Sequence, residues 1–262
     1  MARFALLAAL PVAFALAATT ASASTSVGWG TQDWPPIWQS WQRQIVVDGS
    51  DGVNHDIVVK PSGARELYGY PQRVDIYDYN DTLVPSTSGR LCNIISRHHA
   101  QCVTSGGPAI VGDPYSYQSF ARITIETGDG NDSVQASDPL NPIIVSLFTA
   151  GGDDNVDISG MWGYNDAYTG GALTLGTGND SARIGPAAPP VVPIGNPGFL
   201  LFGGDGDDTI DMLNGSLDQV LCEDGSDTLV ADPSDQNHYE SGFGPPRGED
   251  CESRTPPGLP SP

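Results

Sequence analysis

The sequence predicts an all-β protein: a right-handed parallel β-solenoid or β-roll over about residues 121–232, preceded by a small β-rich amino-terminal region. Three observations carry that expectation. Short glycine- and aspartate-rich segments recur through the second half of the chain, each running into an apolar or β-branched residue. Between them lie runs with alternating apolar residues, the period-2 signature of half-buried strands. The acidic segments also recur at about the length of one coil of a roll, two nine-residue units or about 18 residues.

The recurrence is clearest when the last aspartate of each segment is aligned. Gly128-Asp129-Gly130-Asn131-Asp132, Ala150-Gly151-Gly152-Asp153-Asp154, Gly176-Thr177-Gly178-Asn179-Asp180, Gly204-Asp205-Gly206-Asp207-Asp208 and the weaker Glu223-Asp224-Gly225-Ser226-Asp227 form five copies. Each has a glycine two residues before the aligned aspartate and an apolar residue two after it, and the aspartates are 22, 26, 28 and 19 residues apart. An outgoing strand should follow each aspartate, as in Asn155-Val156-Asp157-Ile158 and Thr209-Ile210-Asp211-Met212. A returning strand should precede the next turn, as in Ile143 to Phe148, Ala172 to Leu175, Phe199 to Phe202 and Leu217 to Leu221. The opposite turns (Asp138 to Pro142, Gly160 to Gly171, Pro186 to Pro197) vary in length and carry no such motif, so one edge should carry metal and the other irregular loops.

The chemistry expected at the repeated edge is calcium binding. Glycine admits left-handed backbone and lets carbonyl oxygens converge, and aspartates add carboxylates to the same small volume. Successive turns would lie one strand spacing apart, roughly 4.8 Å, so two turns together can offer the 6–8 oxygens that Ca²⁺ takes. Mg²⁺ suits such a site less, because it keeps its waters and demands a stricter octahedron. The candidate ligands are Asp129, Asp132, Asp153, Asp154, Asp180, Asp205, Asp207, Asp208, Asp224 and Asp227.

The rest of the chain sets the context. Residues 1–23 read as a secretory signal peptide: Arg3, an apolar run from Phe4 to Ala18, then Ala21-Ser22-Ala23 before Ser24. Residues 24–44 are rich in tryptophan and proline. Trp34, Trp38 and Trp41 are spaced for one face of a short helix beginning near Pro36, which would plug the open end of the sheets. Residues 45–120 hold β-branched runs at Ile45-Val47, Ile57-Val59, Val74-Tyr77 and Leu91-Ile94, separated by glycine, proline and Asn/Asp clusters. After a last strand at Leu229-Ala231, residues 233–262 form a tail rich in proline and glycine, tied by Cys251.

Four cysteines in an exported chain point to two disulfides. Of the three pairings, the sequential one, Cys92 with Cys102 and Cys222 with Cys251, is expected, since each pair then closes a local loop worth roughly 3 kcal/mol. Net charge is −21, which argues against nucleic acid and anionic membranes as partners, and no apolar run other than the leader approaches membrane-spanning length.

The Gly203-Gly204-Asp205-Gly206-Asp207-Asp208-Thr209-Ile210 stretch resembles the repeats-in-toxin motif, Gly-Gly-x-Gly-x-Asp-x-apolar-x. More broadly, the chain from about 45 to 252 looks like small secreted calcium-binding-type proteins of actinobacterial character. The resemblance rests on Cys92 and Cys102, on Asp129 to Asp132, on Cys222 to Thr228 and on Asp250-Cys251-Glu252. It implies aspartates 132, 154, 180, 208 and 227 as carboxylate ligands. Ala150, Thr177 and Cys222-Glu223 depart from the motif, and contiguous nonapeptides are absent.

The expected function is therefore a secreted, non-enzymatic calcium-binding protein with a structural or interaction role at the cell exterior. Two alternatives keep the same fold: an extracellular hydrolase stabilised by the roll, and a module holding wall polymer, glycan or a protein partner through Trp29, Trp34, Trp38, Trp41 and Trp162. No His-Glu-x-x-His or Gly-x-Ser-x-Gly is present, and His55, His98, His99 and His238 form no recognisable constellation.

Overall fold

A computed structural model describes residues 24–30, 44–65, 71–85, 92–103, 122–136, 143–161, 164–165, 172–185, 196–237, 251 and 253–255. The expected leader, Trp34, Trp38, Trp41, Trp162 and most of the tail lie outside the described residues. Those residues contain no helix and build two large, mostly parallel sheets, neither of which closes on itself.

The chain enters through β1 (Thr25–Gly30), β2 (Gln44–Asp48), β3 (Asp56–Arg65), β4 (Pro71–Asp78), β5 (Leu83–Pro85), β6 (Cys92–Ser96) and β7 (His99–Val103). It continues with β8 (Arg122–Glu126), β9 (Ser133–Gln135), β10 (Ile144–Phe148), β11 (Asn155–Ile158), β12 (Tyr164–Asn165), β13 (Ala172–Thr177) and β14 (Ser181–Ile184). The last strands are β15 (Asn196–Pro197), β16 (Leu200–Asp205), β17 (Thr209–Met212), β18 (Gln219–Asp224), β19 (Thr228–Ala231), β20 (Gln236–Asn237) and β21 (Ser253–Thr255).

The first sheet orders as β20-β18-β16-β13-β10-β8-β2-β1-β5, and the second as β21-β19-β17-β14-β11-β9-β3-β4-β7-β6. From β2 to β20 and from β3 to β21 every neighbour pair is parallel. From β8 to β19, β12 and β15 aside, the chain alternates between the two sheets, so each of these rungs consists of one strand in each, joined by a glycine-rich acidic turn. The parallel part starts at β2 and β3, earlier than residue 121. An antiparallel meander, β3-β4-β7-β6, extends the second sheet beyond it.

Alternation along each strand explains the core. Ile45, Ile123, Val145, Leu147, Leu173, Leu201 and Val220 of the first sheet are buried, as are Ile57, Val134, Val156, Ala182, Ile210 and Leu229 of the second. Most of their intervening neighbours are more exposed, although Val58, Thr124, Ser146 and Leu221 are buried as well. Fully burying each of the larger side chains is worth about 1.5–3 kcal/mol, and because the residues stack in register the core is one continuous column.

Both expected disulfides form. Cys92–Cys102 links directly paired positions on β6 and β7. Cys222–Cys251 ties the tail to β18, and the tail then adds β21 alongside β19, more order than a loose tethered segment.

Candidate functional site

The turns that join the two sheets are shaped by close backbone contact between successive rungs. A Cβ added to Gly152 would stand 2.0 Å from the carbonyl oxygen of Gly130, one on Gly178 would stand 2.0 Å from that of Gly152, and one on Gly206 would stand 1.8 Å from that of Gly178. No side chain fits there, which is why glycine recurs two residues before each aligned aspartate. Two residues further back the backbone again takes a positive φ, and there Ala150 (φ 64°) and Glu223 (φ 70°) adopt the left-handed conformation that Gly176 and Gly204 occupy in their own turns. The motif departures therefore keep the shape of the turn at some cost in strain.

Inside the turns the aligned aspartates form a ladder. Oδ1 of Asp132 accepts the amide N–H of His55 (2.7 Å), and Oδ1 of Asp154 accepts that of Asp132 (2.8 Å). The same bond runs from Asp154 to Asp180, from Asp180 to Asp208 and from Asp208 to Asp227, at 2.8, 2.9 and 2.9 Å. Asp132, Asp154, Asp180 and Asp208 are each only 2 % exposed. Their second carboxylate oxygens, Oδ2, are buried and accept no hydrogen bond. Thr127 and Thr149 stand nearby, but their hydroxyls donate to the carbonyls of Thr149 and Leu175.

Burial raises the carboxyl pKa of all four, to about 7 for Asp154 and Asp208, where neighbouring aspartates add to the effect and the amide bond only partly offsets it. A bare buried carboxylate oxygen costs about 1–3 kcal/mol or more, so each of these atoms calls for a proton or a cation.

The remaining candidate ligands are exposed and divide into two outer columns. Asp153 and Asp207 belong to a second ladder, in which the Asn131 N–H donates to Asn54 Oδ1, Asp153 to Asn131, Asn179 to Asp153, Asp207 to Asn179 and Ser226 to Asp207. It runs in the opposite sense to the inner one. Asp129, Asp205 and Asp224 contribute backbone carbonyls that accept the N–H groups of Gly52, Gly178 and Gly206, while their side chains face solvent.

The opposite edge also carries an aspartate ladder, where irregular loops are expected. Asp218 Oδ1 accepts the Phe199 N–H at 2.6 Å, and Asp235 Oδ1 accepts the Asp218 N–H at 2.9 Å. Here the second oxygens are satisfied: Asp218 Oδ2 accepts from Asn214 Nδ2 at 2.7 Å and Asp235 Oδ2 from the Asp232 N–H at 2.7 Å. Burial still pushes the Asp218 carboxyl up to about 7. The echo Leu217-Asp218-Gln219 and Ser234-Asp235-Gln236 is the sequence signal for it.

The histidines are not all isolated. His55, Asp78 and Asp81 are buried, with ligand atoms all within 4.8 Å of one another, so this group could hold a metal ion. It is also richly hydrogen-bonded. His55 Nδ1 meets Asp78 Oδ2 at 2.7 Å, Thr25 Oγ1 donates to the same oxygen at 2.7 Å, and Asp78 Oδ1 accepts the N–H groups of Asp56, Asn80 and Asp81. Burial alone would raise the Asp78 carboxyl, but the bonds from His55 and Thr25 hold it down at about 2. Burial alone would lower the His55 pKa, and the bond to Asp78 raises it instead. His55 and Asp78 thus form a buried hydrogen-bonded pair in which each favours the charged form of the other.

Compared with the known protein families, the curated proteins and the solved structures, the chain matches none.

Proposed function

We propose that this protein is a secreted, non-enzymatic β-solenoid that holds Ca²⁺ between its stacked glycine-aspartate turns and serves a structural or interaction role at the cell exterior. The observation that carries this reading is the row of four buried Oδ2 atoms with no hydrogen-bond donor, carried by successive tightly stacked glycine turns. Every side-chain donor in the inner column from Asp132 on is a carboxylate, without nitrogen or sulfur, and an all-oxygen environment suits Ca²⁺ better than transition metals. Asp132, Asp154, Asp180, Asp208 and Asp227 would supply the carboxylates. A bound cation would neutralise the charges that stacking brings together.

The two disulfides fit an oxidising, extracellular-type compartment. No helix among the described residues is long and apolar enough to cross a membrane. The non-enzymatic part of the reading is supported by the Thr25–His55–Asp78 group, in which the threonine hydroxyl is buried and donates to the carboxylate.

Calorimetric titration of Ca²⁺ into the wild-type protein and into Asp208→Ala tests the reading. Saturable binding that weakens in the variant is expected. Absence of binding heat, with thermal stability indifferent to calcium and to chelator, would sink it.

A further inference from the structure

The stack of turns has a first member that the repeat pattern conceals. The segment Gly49 to His55 joins β2 to β3 and is one residue longer than the corresponding Thr127 to Asp132 or Gly203 to Asp208, but the strand registers that follow are the same: Asp56 pairs with Ser133 and Ile57 with Val134, as Ser133 and Val134 pair with Asn155 and Val156. Its Asn54 begins the outer ladder, and the His55 N–H begins the inner one. His55 therefore stands where every later turn has its buried aspartate. Counted back from His55, Val53 stands where every later turn has glycine, while the N–H bond that those glycines make to the next turn is made here by Gly52, to the Asp129 carbonyl. The glycine is needed only to clear a carbonyl from the turn before, and Val53 sits in the first turn.

The imidazole also occupies the space that the Asp208 carboxylate takes in its own turn. A Cβ added to Gly203 would meet Asp208 Oδ2 at 2.8 Å, and one added to the equivalent Gly49 would meet His55 Nε2 at 2.8 Å. The ring is fastened on both sides, by Asp78 at Nδ1 and by the Ser50 backbone, 3.1 Å away, at Nε2. Asp78 in turn belongs to β4, and the meander carrying it is closed by Cys92–Cys102.

We infer that His55 is a built-in replacement for the cation: it fills the centre of the first turn, so the column of cation sites begins at Asp132, and the region from β2 to β7 holds its structure without metal and templates the rungs that need it. The inference rests on the cation reading of the later turns and adds a boundary to it. The five ladder bonds define five gaps between six turns, and the gap between His55 and Asp132 takes no ion.

Hydrogen exchange of the full chain, resolved by peptide, in millimolar Ca²⁺ and in chelator tests it. Amides of β2, β3, β4 and β7 should exchange at the same rate in both, while those of β14, β17 and β19 should exchange at least tenfold faster in chelator. Equal acceleration in β2, β3 and β17 overturns the inference and leaves the cation reading standing. No change in any segment overturns both. As a second measurement, His55→Asp restores the residue of the later turns. Calorimetric stoichiometry should rise by one ion, and protection of β2 and β3 should become calcium-dependent. A variant that folds with unchanged stoichiometry and calcium-independent protection contradicts the replacement role.

Discussion

Two ladders of buried aspartate run along opposite edges of the parallel sheets, and they differ at one atom. In both, Oδ1 accepts an amide from the rung before, the bond that fixes rung spacing and register. At the loop edge Oδ2 is also satisfied, by Asn214 for Asp218 and by the Asp232 amide for Asp235. At the glycine edge Oδ2 of Asp132, Asp154, Asp180 and Asp208 is buried bare. A bare oxygen is therefore no by-product of building a rung with aspartate. The same backbone bond can be made with the second oxygen satisfied, and the chain does so where turns are irregular enough to supply a donor. Where the turns are tight and glycine-rich no such donor is at hand, and only a proton or a cation can satisfy the oxygen.

The largest expected effect separates the two edges by metal. Each calcium site filled to 100 times its dissociation constant adds about 2.7 kcal/mol, so chelation should lower the denaturant midpoint by several times that energy if three or four gaps fill. Changing Asp218 should leave the calcium increment intact. A chelator-insensitive midpoint would erase the distinction between the edges.

The next effect is steric. Gly206→Ala places a Cβ 1.8 Å from the Gly178 carbonyl at φ 136°, whereas Gly215→Ala at the loop edge has φ 79° and open space around it. The first should cost roughly 3 kcal/mol or more and the second about 1 kcal/mol, the ordinary penalty of left-handed backbone. Urea unfolding of the two variants checks the ranking, and equal costs would mean that the close stacking of turns is not what demands glycine.

Protonation supplies a third contrast. In the metal-free protein Asp154, Asp208 and Asp218 hold protons up to a pKa of about 7, far above the unfolded value of roughly 3.9, so the folded state binds more protons in that window. Stability should therefore rise as pH falls from about 7 to about 4, by at most about 1.4 kcal/mol per unit for each group. Below about 4 the trend should reverse, because Asp78, depressed to about 2, loses its pairing with His55. With calcium present the upper limb should invert, since the metal competes with protons. Unfolding midpoints from pH 3 to 8, with and without chelator, read both limbs.

The glycine edge was legible in the sequence and the loop edge was not, for a physical reason. Glycine two residues before each aspartate is forced by a carbonyl less than 2.5 Å from where a Cβ would sit, so the pattern survives in every copy from Gly130 to Gly225. That constraint also sets the rung positions and hence the strands. Which carboxylates are buried follows from a one-residue offset: Asp207 is exposed and Asp208 is buried, though both are aspartates in one turn. The sequence marks the two alike, whereas the ladder separates them. Asp218 and Asp235 lack a glycine signature because their turns owe their shape to side-chain bonds. His55 is invisible as a first rung because both signature residues are replaced and a 77-residue separation from Asp132 hides the pairing.

The smallest effect is the most discriminating, because it exchanges one atom on each edge. Asn at position 208 keeps a carbonyl oxygen to accept the Asp180 N–H and puts an NH₂ where the buried Oδ2 now lies without a donor. Without calcium Asp208→Asn should be neutral or slightly stabilising, and in calcium it should forfeit the increment of its site. Asp218→Asn keeps one acceptor where two donors, the Phe199 N–H and Asn214 Nδ2, require two. It should cost about 1–3 kcal/mol whether or not calcium is present. Calcium dependence at position 208 with independence at 218, read from paired urea titrations, would tie the difference between the edges to the bare oxygen. Identical behaviour would show that the two ladders are equivalent and that the bare oxygen has no ligand.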